Sequence, residues 1–394
     1  MKILFVANSY YAKGNGLAAS ARRTVEYLRA AGEDVRVLSG ENCEEGGPQP
    51  DFILKNAYIP IFNGLVRSEG YQFARTQTAV IKKAVAWADV VHLEEAFFLE
   101  LVTARICKKM GKPCTGTYHL HPENIFSPVY LGHSKLINHT LLRHWRSNVY
   151  NYCSDIQCPS ENVKQRLEKF GFKSRLHVIS NGVIPDENIR PKLDADAAEN
   201  DPTKPFLVVC IGRLAAEKDQ PTLLKAMRYS RYADRIQLYF AGQGPQAASF
   251  KKKAHRLYKE GIVHYEPIFR FHTREELREL AAKADLYIHC ATIEVEGLSA
   301  LEALQQAVTP IFADGDLTAT AQFALDERSV FPAKDPRALA ARIDYWLDHP
   351  EERAKMGPLY AESTEQYDIH KSIEALIAMF ELARKDKETP QTQA

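Results

Sequence analysis

The stretch that most directly predicts the fold is DLYIHCATIEVEGLSALEALQQA, residues 285–307. Residues 285–290 are mostly apolar and are predicted to form a buried strand, and residues 298–307 are predicted to form a helix. Glu294 then lies in the loop between strand and helix, and Glu302 lies in the first turn of the helix. Open α/β sheets bind ligands in the crevice outside the carboxyl ends of their strands. The stretch therefore predicts a ligand site that carries two carboxylates.

The same alternation of strand and helix runs through most of the chain and predicts parallel sheets with helices on both faces. Strands are predicted at 2–7, 34–38, 90–93, 113–118, 156–158, 176–179, 206–211, 237–241, 286–290 and 310–313, and helices at 18–31, 99–110, 161–170, 221–227, 274–284, 298–307 and 360–385. The alternation lapses over residues 184–205, which are rich in proline and acidic residues and read as a linker. Two α/β domains, 1–185 and 186–359, are the natural interpretation.

Composition narrows the functional classes. A chain of 394 residues favours two domains, and a formal net charge of +1 points to neither nucleic acid nor a membrane. No apolar stretch reaches the length of a membrane span, and the apolar start of the chain is too short for a signal peptide. The seven cysteines form no C-x-x-C pair, which favours a reducing cytosol without disulfides or a zinc site. We expect a cytoplasmic protein that could touch a membrane only from the cytosolic side.

The loop after the strand 206–211 reads GRLAAEKD, residues 212–219, and places two cations at a strand end. Arg213 would grip a diphosphate with its planar fork, and Lys218 would act as a point charge. The structural alternative is a solvated surface loop, in which Asp219 caps a helix with Pro221 in its first turn.

Two further loops follow strand ends. Gly242-Gln243-Gly244-Pro245 follows the strand 237–241, and its glycines would let the backbone approach a ligand, although any tight turn could use them. Glu302 also has a structural alternative, because residues 299–302 fit a capping box that would only start a helix. Glu294 has no comparable structural duty.

Together, the order G-R-x-x-x-x-K-D, G-x-G-P and E-x7-E resembles glycosyltransferase family 4, whose members are retaining enzymes with the GT-B fold, two Rossmann-like domains facing each other across a cleft. The resemblance implies that Arg213 and Lys218 neutralise the donor diphosphate, that Glu294 contacts the transferred sugar and that Glu302 binds the ribose. The donor-binding backbone implied in this domain comprises Gly212, Gly242, Gly244, Gly297, Leu298 and Ser299.

The chain departs from the family pattern around the first glutamate. Residues 295–299, VEGLS, stand where G-F-P or F-G is frequent, and residues 305–310, QQAVTP, replace a run of small residues and glycine. These changes leave the cationic pair intact and leave the donor sugar open. Uridine diphosphate donors are the commonest in the family.

The resemblance also assigns residues in the first domain. Gly14 and Gly16 lie in the loop after the first strand, where the family's glycines approach the donor, and His119 follows the strand 113–118, where the family has an active-site histidine. His121 is the rival for that role, and a helix-entry loop and a structural histidine are the alternatives. The C-terminal helix 360–385 is expected to pack back onto the first domain.

The reaction implied is retaining transfer from a nucleotide diphosphate sugar to a hydroxyl acceptor, with no metal and no other cofactor, because a cationic clamp can stabilise the leaving diphosphate. The acceptor implied is a lipid, a lipid-linked glycan or another sugar. Residues 133–150 mix basic and aromatic side chains on an amphipathic helix, which suits peripheral contact with an anionic membrane, or else the helix faces its own core. Alternatives are a soluble acceptor, an epimerase or phosphorylase on the same fold, and a non-catalytic nucleotide-sugar-binding module.

Overall fold

The computed structural model describes residues 1–12, 16–58, 64, 71–127, 132, 134–186 and 204–388, which form two compact units. The first unit draws on Met1–Pro122, Leu131–Asn181 and Ile369–Ala394, and the second on Glu123–Tyr130 and Gly182–Asp368. The predicted helix 360–385 is two helices, because one ends at Ser363 and the next begins at Ile369. Only the helix that begins at Ile369 belongs to the first unit. Most of the predicted linker lies outside the described residues.

The first unit contains a seven-stranded parallel sheet with the order β3-β2-β1-β4-β5-β6-β7. Its strands are β1 (Lys2–Val6), β2 (Asp34–Gly40), β3 (Phe52–Leu54), β4 (Val90–Leu93), β5 (Cys114–Thr117), β6 (Asp155–Cys158) and β7 (Arg175–Val178). The helices described up to residue 169 are α1 (Gly16–Ala30), α2 (Thr78–Trp87), α3 (Phe98–Met110), α4 (Pro122–Phe126), α5 (Lys135–Asn148) and α6 (Glu161–Lys169).

The second unit contains a six-stranded parallel sheet with the order β10-β9-β8-β11-β12-β13. Its strands are β8 (Phe206–Ile211), β9 (Ile236–Ala241), β10 (Ile268–Arg270), β11 (Leu286–His289), β12 (Pro310–Asp314) and β13 (Val330–Pro332). The later helices are α7 (Gln220–Ala226), α8 (Ala247–Lys259), α9 (Arg274–Lys283), α10 (Leu298–Leu304), α11 (Pro336–Asp348), α12 (Pro350–Ser363) and α13 (Ile369–Glu388), the last returning to the first unit.

The sheet of the second unit is buried on both faces, as its apolar strands predict. Val208 and Cys210 of β8 pack into one hydrophobic cluster, whereas Val209 and Ile211 pack into another on the opposite face. Successive side chains of a strand point to opposite faces, so an almost continuous apolar strand needs a layer of helices on each side. The predicted class, two parallel-sheet α/β domains, is confirmed.

In both sheets the strand order reverses at the strand that comes first in the chain. β1 lies between β2 and β4 in the first unit, and β8 lies between β9 and β11 in the second. Such a switch point opens a crevice at the carboxyl ends of the two central strands. The loops that follow β8 and β11 therefore begin side by side.

Candidate active site

The loop after β8 carries the two predicted cations. It turns through a short 3-10 helix, Ala216–Lys218, before α7 begins. The guanidinium of Arg213 forms an ion pair with the buried Glu217, with 2.5 Å between Nη2 and Oε1. Asp219 stands at the predicted N-cap position of α7, but its carboxylate does not cap the helix backbone and instead accepts a hydrogen bond from the hydroxyl of Thr222 at 2.7 Å.

The loop after β11 fixes Glu294 through its backbone. The N–H of Glu294 donates to the carbonyl of Leu317 at 2.8 Å, and its own carbonyl accepts from the N–H of Ala319 at 2.9 Å. This pairing forms a short parallel bridge with Thr318. Two backbone hydrogen bonds to residues 317–319 therefore hold Glu294 in place. Nothing in the sequence indicated that this segment contacts Glu294.

Lys218 and Glu294 meet. The ammonium Nζ of Lys218 contacts the carboxylate Oε2 of Glu294 in a partly buried ion pair. The N–H and the hydroxyl of Thr292 both donate to the carbonyl of Glu217, at 2.8 and 3.2 Å, and tie the two loops together. The structure thus brings together two predicted site residues that lie 76 positions apart.

The carboxyl group of Glu294 is held in its ionised form. Burial on its own would raise its pKa, but the charge of Lys218 and the neighbouring His289 outweigh burial and lower the pKa to about 2. A fixed carboxylate of this kind accepts hydrogen bonds from hydroxyl groups, which is the chemistry needed to orient a sugar.

The glycines after β8 and β9 bring two loops into contact. A Cβ on Gly242 would overlap the carbonyl oxygen of Gly212, and a Cβ on Gly244 would lie 2.5 Å from the carbonyl oxygen of Leu214. Leu214 N–H donates to the carbonyl of Gln243 at 3.0 Å and closes the contact. The structure therefore supplies a packing reason for glycine at both predicted positions, beside any approach to a ligand.

The predicted capping box at the start of α10 is wrong. Gly297 is the N-cap residue, with a φ of +100°, and no side chain caps the helix. Leu298 and Ser299 are the first two helical residues, so Glu302 is the fifth residue of the helix and not part of a cap. Glu302 instead forms an ion pair with Arg274, with 3.0 Å between Nη2 and Oε1. The structural alternative offered for Glu302 therefore falls away.

In the first unit, His119 is held by a carboxylate that sequence reasoning missed. Its Nε2 lies 2.7 Å from Oε2 of Glu94, which follows β4, and both side chains are buried. Oε1 of Glu94 lies 3.2 Å from Nε2 of His92. Burial would raise the pKa of Glu94, but the two histidines outweigh it and lower the pKa to about 2. The missed signal was the acidic pair directly after the strand 90–93.

The other predicted residues of the first unit have different surroundings. His121, the rival of His119, is fully buried, with Nδ1 3.2 Å from the hydroxyl of Tyr118. Gly14 lies outside the described residues. Gly16 is the first residue of α1, and a Cβ there would meet nothing within 4 Å, so this position does not require glycine on steric grounds.

Two more buried carboxylates lie where β1 ends. The side-chain amide of Asn8 donates to Glu95 at 2.7 Å and to Glu100 at 2.8 Å. Burial raises the pKa of Glu95, and it raises that of Glu100 well above its ordinary value with a further contribution from the charge of Glu95. Asn8 also lines a cavity of about 300 Å³ beside Tyr11 and Gln72. This cluster fixes the beginning of the first loop.

Helix α5 buries one face and exposes another. Asn138, Leu142 and Trp145 are buried, whereas the side chain of Leu136 is 77% exposed. Lys135 and Arg143 are also exposed. His133 of the predicted membrane-contact stretch lies outside the described residues. Among the helices that the structure describes, none is long and apolar enough to cross a bilayer.

Two parallel-sheet units, one of which has an ion pair where neighbouring strands end, agree with the class of protein that the family comparisons identify. The family model described as Glycosyltransferase Family 4 matches residues 14–187, and the model described as Glycosyl transferases group 1 matches residues 192–360. The chain belongs to the glycosyltransferases of the family 4 type and is an enzyme of that class. Membership favours a glycosyltransferase over the epimerase, phosphorylase and non-catalytic alternatives.

Named relatives agree with this class. An alpha-monoglucosyldiacylglycerol synthase from Streptococcus pneumoniae is 24% identical over 80% of this chain and 71% of the relative. A GDP-mannose-dependent alpha-mannosyltransferase from Corynebacterium glutamicum is 23% identical over 78% of this chain and 70% of the relative. The crystal structure of Anabaena HepE in complex with UDP is 17% identical, has a TM-score of 0.71 and covers 97% of this chain and 100% of that chain. The last likeness confirms the GT-B fold.

Proposed function

We propose that this chain is a retaining glycosyltransferase that moves a sugar from a nucleotide diphosphate sugar to the hydroxyl group of a lipid. The observation that carries the donor half is the contact between Lys218 and Glu294 at the ends of the neighbouring strands β8 and β11. A cation suited to a diphosphate and an anion suited to sugar hydroxyls stand together there. In the absence of a donor they neutralise each other.

When the donor binds, its groups replace the contact between Lys218 and Glu294. The diphosphate takes Lys218, with Arg213 as the second cation, and the sugar hydroxyls take Glu294. The bond between the anomeric carbon and the β-phosphate oxygen then breaks, and the acceptor oxygen forms its bond on the same face. The acceptor proton passes to an oxygen of the departing phosphate. Lys218 and Arg213 stabilise the negative charge that develops on the diphosphate, and this replaces the role of a metal ion.

The remaining predicted residues take supporting roles in this proposal. Glu302 binds the ribose of the nucleotide and exchanges Arg274 for its hydroxyls. His119, oriented by Glu94, is the residue of the first unit that contacts the transferred sugar. Glu294 orients the sugar and does not act as a nucleophile.

Uridine diphosphate glucose is the donor that we propose first. The name of the Streptococcus relative specifies a glucosyl group, and the HepE crystal contains UDP. The name of the Corynebacterium relative specifies GDP-mannose, which makes that nucleotide sugar the competing donor. The departures at residues 295–299 adjoin the predicted sugar contact, so the donor must be measured rather than transferred from either relative.

A lipid acceptor is supported by the exposed side of α5. Leu136 lies among the exposed cations Lys135 and Arg143 on this helix, an arrangement that suits peripheral binding to anionic lipid from the cytosolic side. Phe98 at the start of α3 is a further exposed apolar side chain of the same unit, 66% exposed. The name of the Streptococcus relative specifies diacylglycerol, which we propose as the first acceptor.

The donor is tested by thermal shift and by transfer. UDP-glucose and GDP-mannose are added separately, because a ligand that binds the native state raises its apparent stability. Transfer is then measured with radiolabelled sugar onto dioleoylglycerol in phosphatidylglycerol vesicles. We expect UDP-glucose to stabilise the protein and to label the lipid with retained anomeric configuration. Labelling from GDP-mannose alone would reverse the donor assignment, and binding of neither donor would overturn the proposal.

The acceptor surface is tested by flotation with phosphatidylglycerol vesicles at low salt. Leu136→Glu is expected to abolish flotation, whereas Tyr58→Glu, a matched change at a side chain that is 74% exposed in the same unit, is expected to leave it unchanged. If the wild-type protein does not float with the vesicles but transfers the sugar to a soluble alkyl glucoside, the acceptor is a soluble molecule.

A further inference from the structure

His289, the last residue of β11, is a buried histidine to which the sequence assigned no role. Its side chain is 3% exposed, and Tyr287 lies two residues earlier on the same face of the sheet. The hydroxyl of Tyr287 is 2.8 Å from Nδ1 of His289. Tyr287 packs in the hydrophobic cluster with Ala300 and Leu301 of α10. Nδ1 of His289 is therefore held by the hydroxyl of Tyr287, whose ring is itself packed in the hydrophobic core.

The other ring nitrogen of His289 is aimed at the proposed sugar-binding carboxylate. Nε2 lies 3.5 Å from Oε2 of Glu294, and within the part of the chain that the structure describes it has no hydrogen-bond partner. Buried polar groups are almost always hydrogen-bonded in native proteins, so an unpartnered nitrogen at this distance requires an explanation. The same Oε2 atom contacts the ammonium of Lys218. Oε2 of Glu294 therefore has an ion pair with Lys218 and a second neighbour, Nε2 of His289, at 3.5 Å.

The charges determine which nitrogen of His289 carries the proton. Burial lowers the pKa of His289 despite the attraction of Glu294, so the ring is neutral and has a single N–H. A lone pair on Nε2 would face an anionic oxygen, which is repulsive. The stable tautomer therefore has the hydrogen on Nε2, and Nδ1 accepts a hydrogen bond from the hydroxyl of Tyr287.

We propose that His289 is a positioning residue that takes over Glu294 when the donor diphosphate draws Lys218 away. The inference rests on the proposed function, in which Lys218 changes partner on donor binding. Once Lys218 has left, Glu294 would otherwise have only the sugar hydroxyls as partners, and no group of the protein would fix the orientation of its carboxylate. A short movement toward Nε2 gives it a hydrogen bond from His289, and the Tyr287 contact keeps the imidazole from turning away.

The test separates nucleotide binding from sugar orientation. His289→Leu, His289→Gln and wild type are compared for the affinity of UDP alone and for kcat and KM with UDP-glucose, or with GDP and GDP-mannose if that pair is the active one. We expect His289→Leu to lower kcat about tenfold to a hundredfold, the range for losing a hydrogen bond to a charged group, with the affinity for the nucleoside diphosphate unchanged. His289→Gln, whose amide can still donate, is expected to recover most of the loss.

A pH profile supplies a readout that a merely structural role would not move. Loss of the N–H donor raises the pKa of Glu294 in the donor complex, so the acidic limb of kcat is expected to shift to higher pH in His289→Leu. The titratable groups that face this pair are Lys218 and Tyr287, with Cys210 and Cys290 nearby. None of these is altered in the variant.

A matched control isolates general destabilisation. Ile288 is the neighbouring fully buried residue of β11 and packs into the cluster on the opposite face of the sheet. Ile288→Ala is expected to lower Tm without moving the acidic limb. An equal loss of nucleoside diphosphate affinity and of kcat in His289→Leu, or an unchanged kcat, would overturn the inference while the proposed function stands. Absence of transfer in the wild type would overturn both.

The tautomer gives a test that does not depend on activity. In protein labelled with ¹⁵N-histidine, the resonances of His289 are identified by their loss in His289→Gln. We expect the shifts of a neutral ring protonated at Nε2. A ring protonated at Nδ1 would contradict the proposal, because it has no hydrogen to offer Glu294.

Discussion

His119 and Glu94 follow the neighbouring strands β5 and β4, and their side chains meet with 2.7 Å between Nε2 and Oε2. The carboxylate is buried and ionised, so it holds the imidazole in one orientation and favours a proton on Nε2. The second unit has a similar pair, in which His289 at the end of β11 lies next to the carboxylate of Glu294 in the loop that follows. In each unit a Glu–His pair lies at the carboxyl ends of the parallel strands.

Neutralising Glu94 is expected to impair transfer through His119. Glu94→Gln keeps the shape of the side chain and removes the charge, so we expect kcat/KM to fall about tenfold. His119→Ala should lose more. The double variant should be no worse than His119→Ala, because both changes act on one interaction. Additive losses would show that Glu94 works independently of His119.

The Lys218–Glu294 pair allows a structural role to be separated from a catalytic one. Lys218→Ala is expected to lower kcat about a hundredfold, as expected for the loss of one group that stabilises charge in the transition state. The exchanged variant Lys218→Glu/Glu294→Lys retains an ion pair and should recover thermal stability relative to Lys218→Ala. It should not recover transfer, since the diphosphate would face a carboxylate. Recovery of transfer in the exchanged variant would refute the assignment of both residues.

Gly242→Ala is expected to destabilise the second unit. The added Cβ would overlap the carbonyl oxygen of Gly212, and the backbone of one loop would have to move. Overpacking of this kind costs about 1–3 kcal/mol, measurable by urea unfolding. Gly16→Ala is the matched control, because a Cβ at the start of α1 meets nothing within 4 Å and should not lower stability. Equal stability of the two variants would contradict the interlock of the loops.

Acid should destabilise the protein in a window set by Glu94 and Glu294. Both carboxyl groups have their pKa lowered from 4.5 to about 2 in the folded chain, so each contributes stability above pH 4.5 that is lost as the pH falls toward 2. The contribution of Glu94 amounts to roughly 3 kcal/mol at neutral pH. We expect the free energy of unfolding of Glu94→Gln to approach that of wild type as the pH is lowered from 6 to 2.

Glu95 and Glu100 act in the opposite direction, because their pKa values are raised. The difference between Glu94→Gln and wild type cancels this contribution except for the part that the charge of Glu94 itself adds to the raised pKa of Glu95. If the difference in the free energy of unfolding between wild type and Glu94→Gln stays constant from pH 6 to pH 2, the charge of Glu94 does not stabilise the fold.

The sequence was sufficient for the order and type of most elements and for placing Lys218 and Glu294 after strands of one sheet, whereas their direct contact was not predicted. The long apolar strands are central, and the two residues follow strands that any parallel sheet would place at one edge. The strands β3, β10 and β13 were missed because each has three residues, fewer than the roughly four to eight over which a strand pattern can be recognised. Glu94 was missed for a different reason. Its partner His119 follows another strand, and their contact depends on the order of strands in the sheet.

The capping box failed on a single backbone angle. The residues 299–302 have the right types, but Gly297 adopts a φ of +100° and starts α10 before Ser299 can serve as its cap. The backbone hydrogen bonds that fix Glu294 to Leu317 and Ala319 were equally invisible, because they join a loop to a turn beyond the next strand. Pattern and motif named the candidate residues, whereas the contacts that hold these residues required the coordinates.

The close contact of Gly242 and Gly244 with the backbone of residues 212–214 has a consequence for recombination between family members. A donor-specificity chimera that exchanges only one of these loops brings together two backbones that did not evolve as neighbours, and a misfit would appear as poor expression before any change of substrate could be seen. The crossover points of such a chimera should therefore lie before β8 and after the loop that follows β9, so that both loops come from the same parent.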